Sequence, residues 1–417
     1  MYSKQIKEKK FPWGGRAVAS AFPSKGVVSI VGSIAGGSRA WESEEEADVA
    51  AEMLLEGTTK HDKKELQRML DSMGASLFFN SGSERLYFTA KAQPKHAAKL
   101  LALVAECLLM PAFPEPELAV LKTREASNLE MESQNTYAQA LTALSRIVFK
   151  PEHPNYGETT AESKKIIKSV TTKNLRQKHA ALLDRSSLII SLAGDITPKK
   201  AFALVDAHFK QLPKKGLKTK PFKKASITPS KKTFIPIKNK ASIDYVTGIA
   251  TGITNTSPDY PALLLGLQAL GNRGFASRLM KTVREEEGLT YGVYAFLAGT
   301  KAHTDGYLYI WATFAPQLYE KGKESIARQV RLLLSEGVTE EEIRKHGQLF
   351  EARNRVQLSN SGAYAKAAHD CIADGKKLSY LDEFPKKIKK LGAKEVNRVL
   401  KKYLLQSKFS EAAAGTK

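Results

Sequence analysis

The chain has 417 residues, 42% of them hydrophobic and 26% charged, a composition typical of globular domains rather than disordered or fibrous chains. It carries 65 Lys and Arg residues against 43 Asp and Glu residues, a formal net charge of +22. Cys107 and Cys371 are too few for a disulfide scaffold, so we expect two unrelated thiols, and no apolar run is long enough to span a membrane.

The N-terminal segment bears on the compartment. Residues 1–10 are rich in lysine, but no apolar run follows them, so no secretory signal is visible. We therefore expect a cytoplasmic protein, or a periplasmic one if a leader precedes this sequence.

The first half of the chain predicts a strand, two capped helices, two strands and two further helices, in that order. The first strand is 27–35. Ser43 and Asp62 are each followed three residues later by glutamate, the capping-box signal that opens a helix, and Gly74 ends the second of these helices. The strands that follow are 75–80 and 85–92, and the further helices begin at Lys95 and after Phe113.

The second half repeats this order of elements. It predicts a strand at 243–250, helices at 261–270 and 277–287, strands at 289–297 and 307–315, and helices from Gln317 and after Val338. Segments 86–94 and 308–316 match at an offset of 222 residues, and 113–118 matches 338–343 at 225. Such a repeat indicates duplication. We expect an α+β protein with two homologous half-domains, each a mainly antiparallel sheet with helices packed on one face.

The densest basic segment separates the two halves. Residues 210–240 contain eleven lysines and no acidic residue, with prolines at 213, 221 and 229, which is typical of an extended linker. The lysines alternatively suit an acidic protein partner or nucleic acid, but no nucleic-acid motif with interleaved aromatics accompanies them. We expect an N-terminal domain at 1–212, a linker at 213–240, a C-terminal domain at 241–417, and no nucleic-acid partner.

One long segment carries a family resemblance. Residues 271–295, GNRGFASRLMKTVREEEGLTYGVYA, closely resemble a segment of mitochondrial processing peptidase, of the respiratory core proteins and of small bacterial relatives. GSRAWE (37–42), EMLLEGT (52–58), FKPEHPNYG (149–157) and residues 192–213 resemble further landmarks of this inverted-zinc metallopeptidase family. The resemblance spans nearly the whole chain and implies that His153, in the third landmark, is structural.

The resemblance also locates a departure. Active members carry His-x-x-Glu-His just before the second landmark, where two imidazoles on one helix face bind zinc and the glutamate activates its water. Asp48, Ala51 and Glu52 occupy these positions here, and Glu130 lies near the place of the family's downstream acidic ligand. Carboxylates suit Mg²⁺ or Ca²⁺ better than Zn²⁺, and Ala51 offers no general base. We therefore expect solvated acids and no metal or other cofactor in this chain.

A second departure concerns peptide binding. Active relatives carry an Asn-Ala pair on the edge strand to which the substrate adds as a further strand. Phe78 and Phe79 stand there in this sequence. Two bulky rings would crowd a peptide, whereas strand alternation would turn one of them into the core.

Other family residues are kept. The resemblance implies that Arg284 and Tyr291 close over the zinc site of a partner chain, where their donors bind a substrate carbonyl and its developing oxyanion. The sequence pattern alone instead favours a solvated arginine on the helix and a strand tyrosine with a buried ring. The resemblance further implies that Gly274, Ser277 and Arg278 bind substrate, the alternative being a plain turn.

These residues lead to one functional expectation. We expect a noncatalytic subunit of a heterodimeric zinc metalloendopeptidase, inactive alone, whose zinc-bearing homologous partner cleaves unfolded peptides. The alternative is a purely structural subunit, like the respiratory core proteins, with no catalytic contribution.

Overall fold

A computed structural model describes residues 1–41, 43–216, 224–225, 228–271 and 277–416. Eleven strands occur in these ranges: β1 (Lys7–Lys10), β2 (Arg16–Ala21), β3 (Val28–Ala35), β4 (Ser76–Ser81), β5 (Arg85–Ala92), β6 (Ile189–Gly194), β7 (Lys232–Pro236), β8 (Ile243–Ala250), β9 (Val293–Ala298), β10 (Tyr307–Phe314) and β11 (Ser410–Gly415). The α-helices described there are α1 (Ser38–Trp41), α2 (Glu44–Met53), α3 (Lys63–Met73), α4 (Ala97–Leu109), α5 (Glu115–Ser133), α6 (Thr136–Val148), α7 (Thr160–Ser169), α8 (Thr172–Leu182), α9 (Pro198–Phe209), α10 (Tyr260–Gly271), α11 (Tyr319–Glu336), α12 (Glu340–Gln357), α13 (Ser361–Ala373), α14 (Tyr380–Lys390) and α15 (Ala393–Tyr403).

The strands form two sheets of the same design. Their orders are β1-β2-β6-β3-β5-β4 and β7-β11-β8-β10-β9. Strand β2 pairs parallel with β6, and β7 pairs parallel with β11. The other pairs are antiparallel. Apart from the additional strand β1, each position in one sheet has its counterpart in the other. The expected α+β fold with two homologous halves is confirmed.

The chain divides into two compact units that are not contiguous in sequence. Unit 1 comprises Met1–Asn128, Glu162–Thr219 and Asn354–Asp382, and unit 2 comprises Leu129–Ala161, Lys220–Arg353 and Glu383–Lys417. Each unit therefore contains a helix from the opposite half of the sequence, α13 in unit 1 and α6 in unit 2. This differs from the contiguous domains expected from the sequence, because each of these helices packs on the sheet of the unit that receives it.

Polar contacts join each of these helices to its sheet. In unit 1, the Oγ of Ser33 on β3 lies 2.7 Å from Nε2 of His369 on α13. In unit 2, Thr136 at the start of α6 donates to Asp244 on β8. Asparagine caps the N-terminus of both helices, Asn135 for α6 and Asn360 for α13, which repeats the offset of 225 residues.

The core of unit 1 lies mainly on one face of its sheet. Side chains from α2, α3, α4 and α9 pack there against strand residues such as Ile30. Val31, the next residue, points to the opposite face, where α13 forms a smaller cluster with it. Helices therefore cover part of the second face as well as the first.

Several local expectations can be compared with the structure. Asp62 forms the expected capping box with Glu65, and Gly74 ends α3 in the left-handed conformation, with φ of 55°. The helix expected at 277–287 is present, and Met280–Glu286 within it is a π-helix. The expected linker was too long, because Lys232–Pro236 forms the edge strand β7. Lys and Pro are tolerated there because an edge strand leaves backbone donors unpaired.

The cysteines and the helices bear on two further expectations. Cys107 and Cys371 are free and buried, which confirms two unrelated thiols, and burial raises the pKa of each thiol to about 12. Within the described ranges, no helix has both the length and the apolar character needed to cross a membrane.

Candidate functional site

Helix α2 carries the positions at which active relatives bind zinc. Ser43 caps the helix by accepting a hydrogen bond from the Glu46 backbone N–H at 3.0 Å. Ala51, where active relatives hold the general base, is 1% exposed and lines a cavity of about 10 Å³ with Trp41 and His179. Such a cavity has room for one water molecule at most. The position therefore offers a methyl group in a packed interior rather than a proton acceptor.

Asp48 stands at the first histidine position. Burial is the main reason that the pKa of its carboxyl rises to about 7, and the nearby charge of Glu44 raises it further, while the Ser81 N–H donates to it and opposes the rise. The expectation of a solvated acid was therefore wrong for Asp48, because the second turn of α2 packs beside strand β4. A carboxyl that is half protonated near neutral pH is a poor metal ligand.

Glu52 stands at the second histidine position and is exposed, as expected. Arg124 on α5 donates to its carboxylate and also pairs with Glu125 at 3.0 Å. The guanidinium places a permanent positive charge beside the carboxylate that stands at the second histidine position. Glu130, also exposed, lies in the part of α5 that belongs to unit 2. Over the described part of the chain, no three His, Cys, Asp or Glu side chains are grouped to hold a metal ion.

These residues do not fit the zinc that the family binds. Two of the three motif positions hold carboxyl groups, one of them half protonated and the other paired with arginine, and the third holds alanine. No hydrolytic step is assigned to this helix.

Strand β4 is an edge strand of its sheet and packs beside α2. Its side chains alternate, so Phe79 is 6% exposed and belongs to the core while Phe78 is 62% exposed. Only one of the two rings therefore faces outwards, as strand alternation predicts.

Arg284 lies on the π-helix in unit 2 and is half-buried. The chain leaves this helix through Gly288, whose φ of +63° is in the left-handed region. The backbone N–H of Leu289 then donates to the carbonyl of Val283 at 2.9 Å. This bond ties the segment that leads to Tyr291 to the residue that precedes Arg284.

Tyr291 is 90% exposed, the highest value among the large apolar and aromatic side chains of the described residues. The two residues before it, Leu289 and Thr290, and the two after it, Gly292 and Val293, are buried. The alternative of a buried tyrosine ring is therefore wrong. A single ring is presented to solvent from a buried stretch of chain.

The three residues expected to bind substrate have other surroundings. Arg278 donates from Nε to Oε1 of Glu342 at 2.7 Å and from Nη2 to Oε2 at 2.8 Å, and Nη2 also donates to the Gly337 carbonyl at 2.7 Å. Ser277 is 1% exposed. Gly274 lies outside the described residues. Arg278 thus holds the start of α12 and Ser277 is buried, and substrate binding by either residue stays a prediction.

His153 occupies a structural position, as expected. Its Nδ1 accepts a hydrogen bond from the Asn155 N–H at 3.1 Å, so Nε2 carries the proton and lies 3.3 Å from Oδ1 of Asp305. The imidazole is 6% exposed and stacks on Phe149, with ring centroids 4.2 Å apart. Burial opposes ionisation of Asp305, but the bonds from His153 and the Ala225 N–H hold the pKa of its carboxyl below the usual value.

Comparison with known proteins settles the family. Residues 17–155 match the profile described as insulinase, peptidase family M16, and residues 169–348 match that of the peptidase M16 inactive domain. The chain belongs to the M16 peptidase family. The resemblance noted from the sequence is thus confirmed, in an M16 chain without the His-x-x-Glu-His motif.

Relatives of this M16 chain include named and solved proteins. It is 22% identical over 356 residues to the non-peptidase homolog YmxG of Helicobacter pylori, covering 85% of this chain and 81% of the relative. It is 23% identical over 382 residues to the bovine mitochondrial-processing peptidase subunit beta, covering 87% and 74%. A peptidase M16 inactive domain protein from Pseudomonas fluorescens has the same fold, with a TM-score of 0.89, 22% identity and coverage of 99% and 98%.

Two residues of this M16 chain were missed by sequence reasoning. Arg124 bears no local signal, because its partner Glu52 is 72 positions away. Thr290 does have one, since a threonine two residues before glycine favours a side-chain turn. Arg124 contacts Glu52, and Thr290 directly precedes Tyr291.

Proposed function

We propose that this M16 chain is the noncatalytic subunit of a heterodimeric zinc metalloendopeptidase. A zinc-bearing homologous partner supplies the metal and the general base and cleaves unfolded peptides. This chain supplies Arg284 and Tyr291, which act at the partner's site. It binds no zinc of its own, because Asp48, Ala51 and Glu52 do not form a zinc-binding set.

The observation that carries the proposal is the exposure of Tyr291. A tyrosine ring that is 90% exposed contributes little to the packing of its own unit, although the residues on both sides are buried. A side chain presented in this way is available to another molecule. The names of the relatives support the noncatalytic part of the proposal, since one is a non-peptidase homolog and one solved protein is described as an inactive domain.

The chemistry of the two side chains suits this role. The guanidinium of Arg284 is permanently charged and offers a planar set of donors, and the Tyr291 hydroxyl is a neutral donor. Donors of these kinds bind a peptide carbonyl and stabilise the negative charge that grows on its oxygen during hydrolysis. The Val283–Leu289 hydrogen bond closes the backbone segment that contains Arg284 and ends two residues before Tyr291.

The test is kinetic. In a complex with an M16 relative that has an intact motif, Arg284→Ala and Tyr291→Phe should each lower kcat by about 10- to 1,000-fold, the range for deletion of an oxyanion donor. Arg331→Ala, at an exposed arginine of α11, is the matched control and should leave the rate unchanged. Sizing of each variant complex verifies assembly.

The result separates two functions. A loss confined to KM would assign uniform substrate binding to the pair rather than stabilisation of the transition state. Unchanged kcat and KM in both variants would overturn the proposal and leave the purely structural subunit.

A further inference from the structure

The segment that presents Tyr291 has a side chain at its centre that holds it in place. The side-chain oxygen of Thr290 accepts a hydrogen bond from the Gly292 N–H at 3.1 Å. The Thr290 hydroxyl can donate to the Thr313 carbonyl on β10. The Gly292 carbonyl oxygen also lies 3.0 Å from the Thr290 side-chain oxygen. Thr290 itself is 9% exposed, so these bonds are shielded from water.

These bonds explain why the sheet ends where it does. The pairing of β9 with β10 stops at Val293 opposite Ala312. Continued in the same register, Gly292 would lie opposite Thr313. The Thr290 hydroxyl instead donates to the Thr313 carbonyl, so strand β9 does not extend to Gly292. The chain turns away from the sheet there, and Tyr291 points outwards.

We propose that Thr290 is a positioning residue for Tyr291. Its hydroxyl fixes the turn 290–292 and so sets the direction of an exposed side chain that makes few packing contacts of its own. The value of this for turnover rests on the proposed function of Tyr291. The geometric part, that Thr290 orders the backbone at Tyr291, stands on the contacts within unit 2.

Substitution of Thr290 by valine or by serine distinguishes the effect of its hydroxyl from the effect of its side-chain shape. Thr290→Val keeps the branched shape but leaves the Gly292 N–H and the Thr313 carbonyl without the hydroxyl. Thr290→Ser keeps the hydroxyl. Thr313→Val is the matched control, because it removes another threonine hydroxyl nearby and leaves the Thr313 backbone carbonyl in place.

The first experiment uses the full chain alone. Protein labelled with ¹⁵N-tyrosine gives one amide signal per tyrosine, and Tyr291→Phe identifies the signal of Tyr291. We expect an NMR order parameter of about 0.85 for this amide in the wild type, Thr290→Ser and Thr313→Val. In Thr290→Val we expect it to fall below about 0.6. An unchanged order parameter in Thr290→Val, with the other tyrosine signals unmoved, would overturn the proposal.

The second experiment uses the complex with a zinc-bearing relative. Thr290→Val should lower kcat by at least about tenfold, and the double variant Thr290→Val/Tyr291→Phe should be no slower than Tyr291→Phe alone. Thr290→Ser should restore the rate. Additive losses would show that Thr290 acts independently of Tyr291 and would refute the positioning role. If Tyr291→Phe has no effect, the proposed function fails, and the order parameters still decide whether Thr290 positions the tyrosine.

Discussion

Arg124 on helix α5 donates to the carboxylate of Glu52 on helix α2, at the position where active relatives hold the second zinc-binding histidine. The pair is well exposed, with side-chain exposures of 53% and 43%, so it adds little to stability. Its local effect is electrostatic. The guanidinium offsets the charge of Glu52 at the second histidine position, so this carboxylate attracts a cation less than an unpaired one would.

This pair leads to the first prediction, that the purified chain holds no zinc and cleaves no peptide alone. Asp48 is half protonated near pH 7, Glu52 is paired and Ala51 is no base. Metal analysis should find much less than one zinc per chain, and a quenched peptide should stay intact. One tightly held zinc per chain together with chelator-sensitive cleavage would contradict the prediction.

The second prediction isolates the contribution of Arg124. In the variant Asp48→His/Glu52→His, two imidazoles one helical turn apart provide a pair of zinc ligands. Adding Arg124→Ala should tighten zinc binding by about tenfold or more, because a nearby unit charge in partly screened surroundings is worth about 1–2 kcal/mol. Titration calorimetry measures both affinities, and Arg68→Ala, at an exposed arginine of α3, is the control. Equal affinities with and without Arg124 would show that its charge has no effect.

The third prediction concerns the pH dependence of stability. The pKa of Asp48 is about 7 in the folded chain against an ordinary value of 3.8, so the folded state keeps a proton that the unfolded state releases. The free energy of unfolding therefore falls as pH rises from about 4 to about 7, and Asp48→Asn removes this loss. Since Asp48 is partly exposed, we expect Asp48→Asn to be more stable by about 1–2 kcal/mol at pH 8 and equal to the wild type near pH 3.5. Urea unfolding at several pH values measures this, and Asp71→Asn, at an exposed aspartate of α3, is the control.

Local signals carried most of what the sequence revealed about the fold. The capping box at Asp62 and the glycine at position 74 are settled by neighbours within a turn, and both appear as expected. The placement of α6 and α13 depends on sheets that lie far away in sequence, so no local pattern marks the exchange. The sequence shows which residues stand at the three motif positions, but it does not show the raised pKa of Asp48, because that follows from packing beside β4.

The candidate site shows the same division. Tyr291 was identified by resemblance, and its exposure could not be read from a strand-like pattern that runs on from Leu289. The strand starts only at Val293, because the Thr290 side chain ends the ladder. Arg278 was assigned to substrate by resemblance, and its contact with Glu342, 64 residues away, leaves no trace in the local sequence.

The fourth prediction tests whether Arg278 stabilises unit 2. Arg278→Lys replaces a two-pronged contact with a single ammonium, so the bonds to Glu342 and Gly337 are not all kept. We expect a loss of about 1.5–3 kcal/mol in the free energy of unfolding, the range for hydrogen bonds to charged groups. Urea unfolding measures it, and Arg331→Lys is the control at an exposed arginine. Unchanged stability with a raised KM in the complex would instead support the substrate-binding role.

The last prediction concerns assembly. Co-expression with a zinc-bearing M16 relative should give a one-to-one complex, in which the partner covers Tyr291. In the free chain, Tyr291 is 90% exposed and should react readily with tetranitromethane. In the complex its nitration should slow by about tenfold or more, because burial of the ring removes it from the reagent. Tyr403, partly exposed on α15 and bonded to Asp259, is the internal reference. Light scattering gives the stoichiometry and mass spectrometry of tryptic peptides gives the nitration of each tyrosine. Separate species in the mixture, or a complex in which Tyr291 reacts as fast as in the free chain, would remove the basis for a role of Tyr291 at the partner's site.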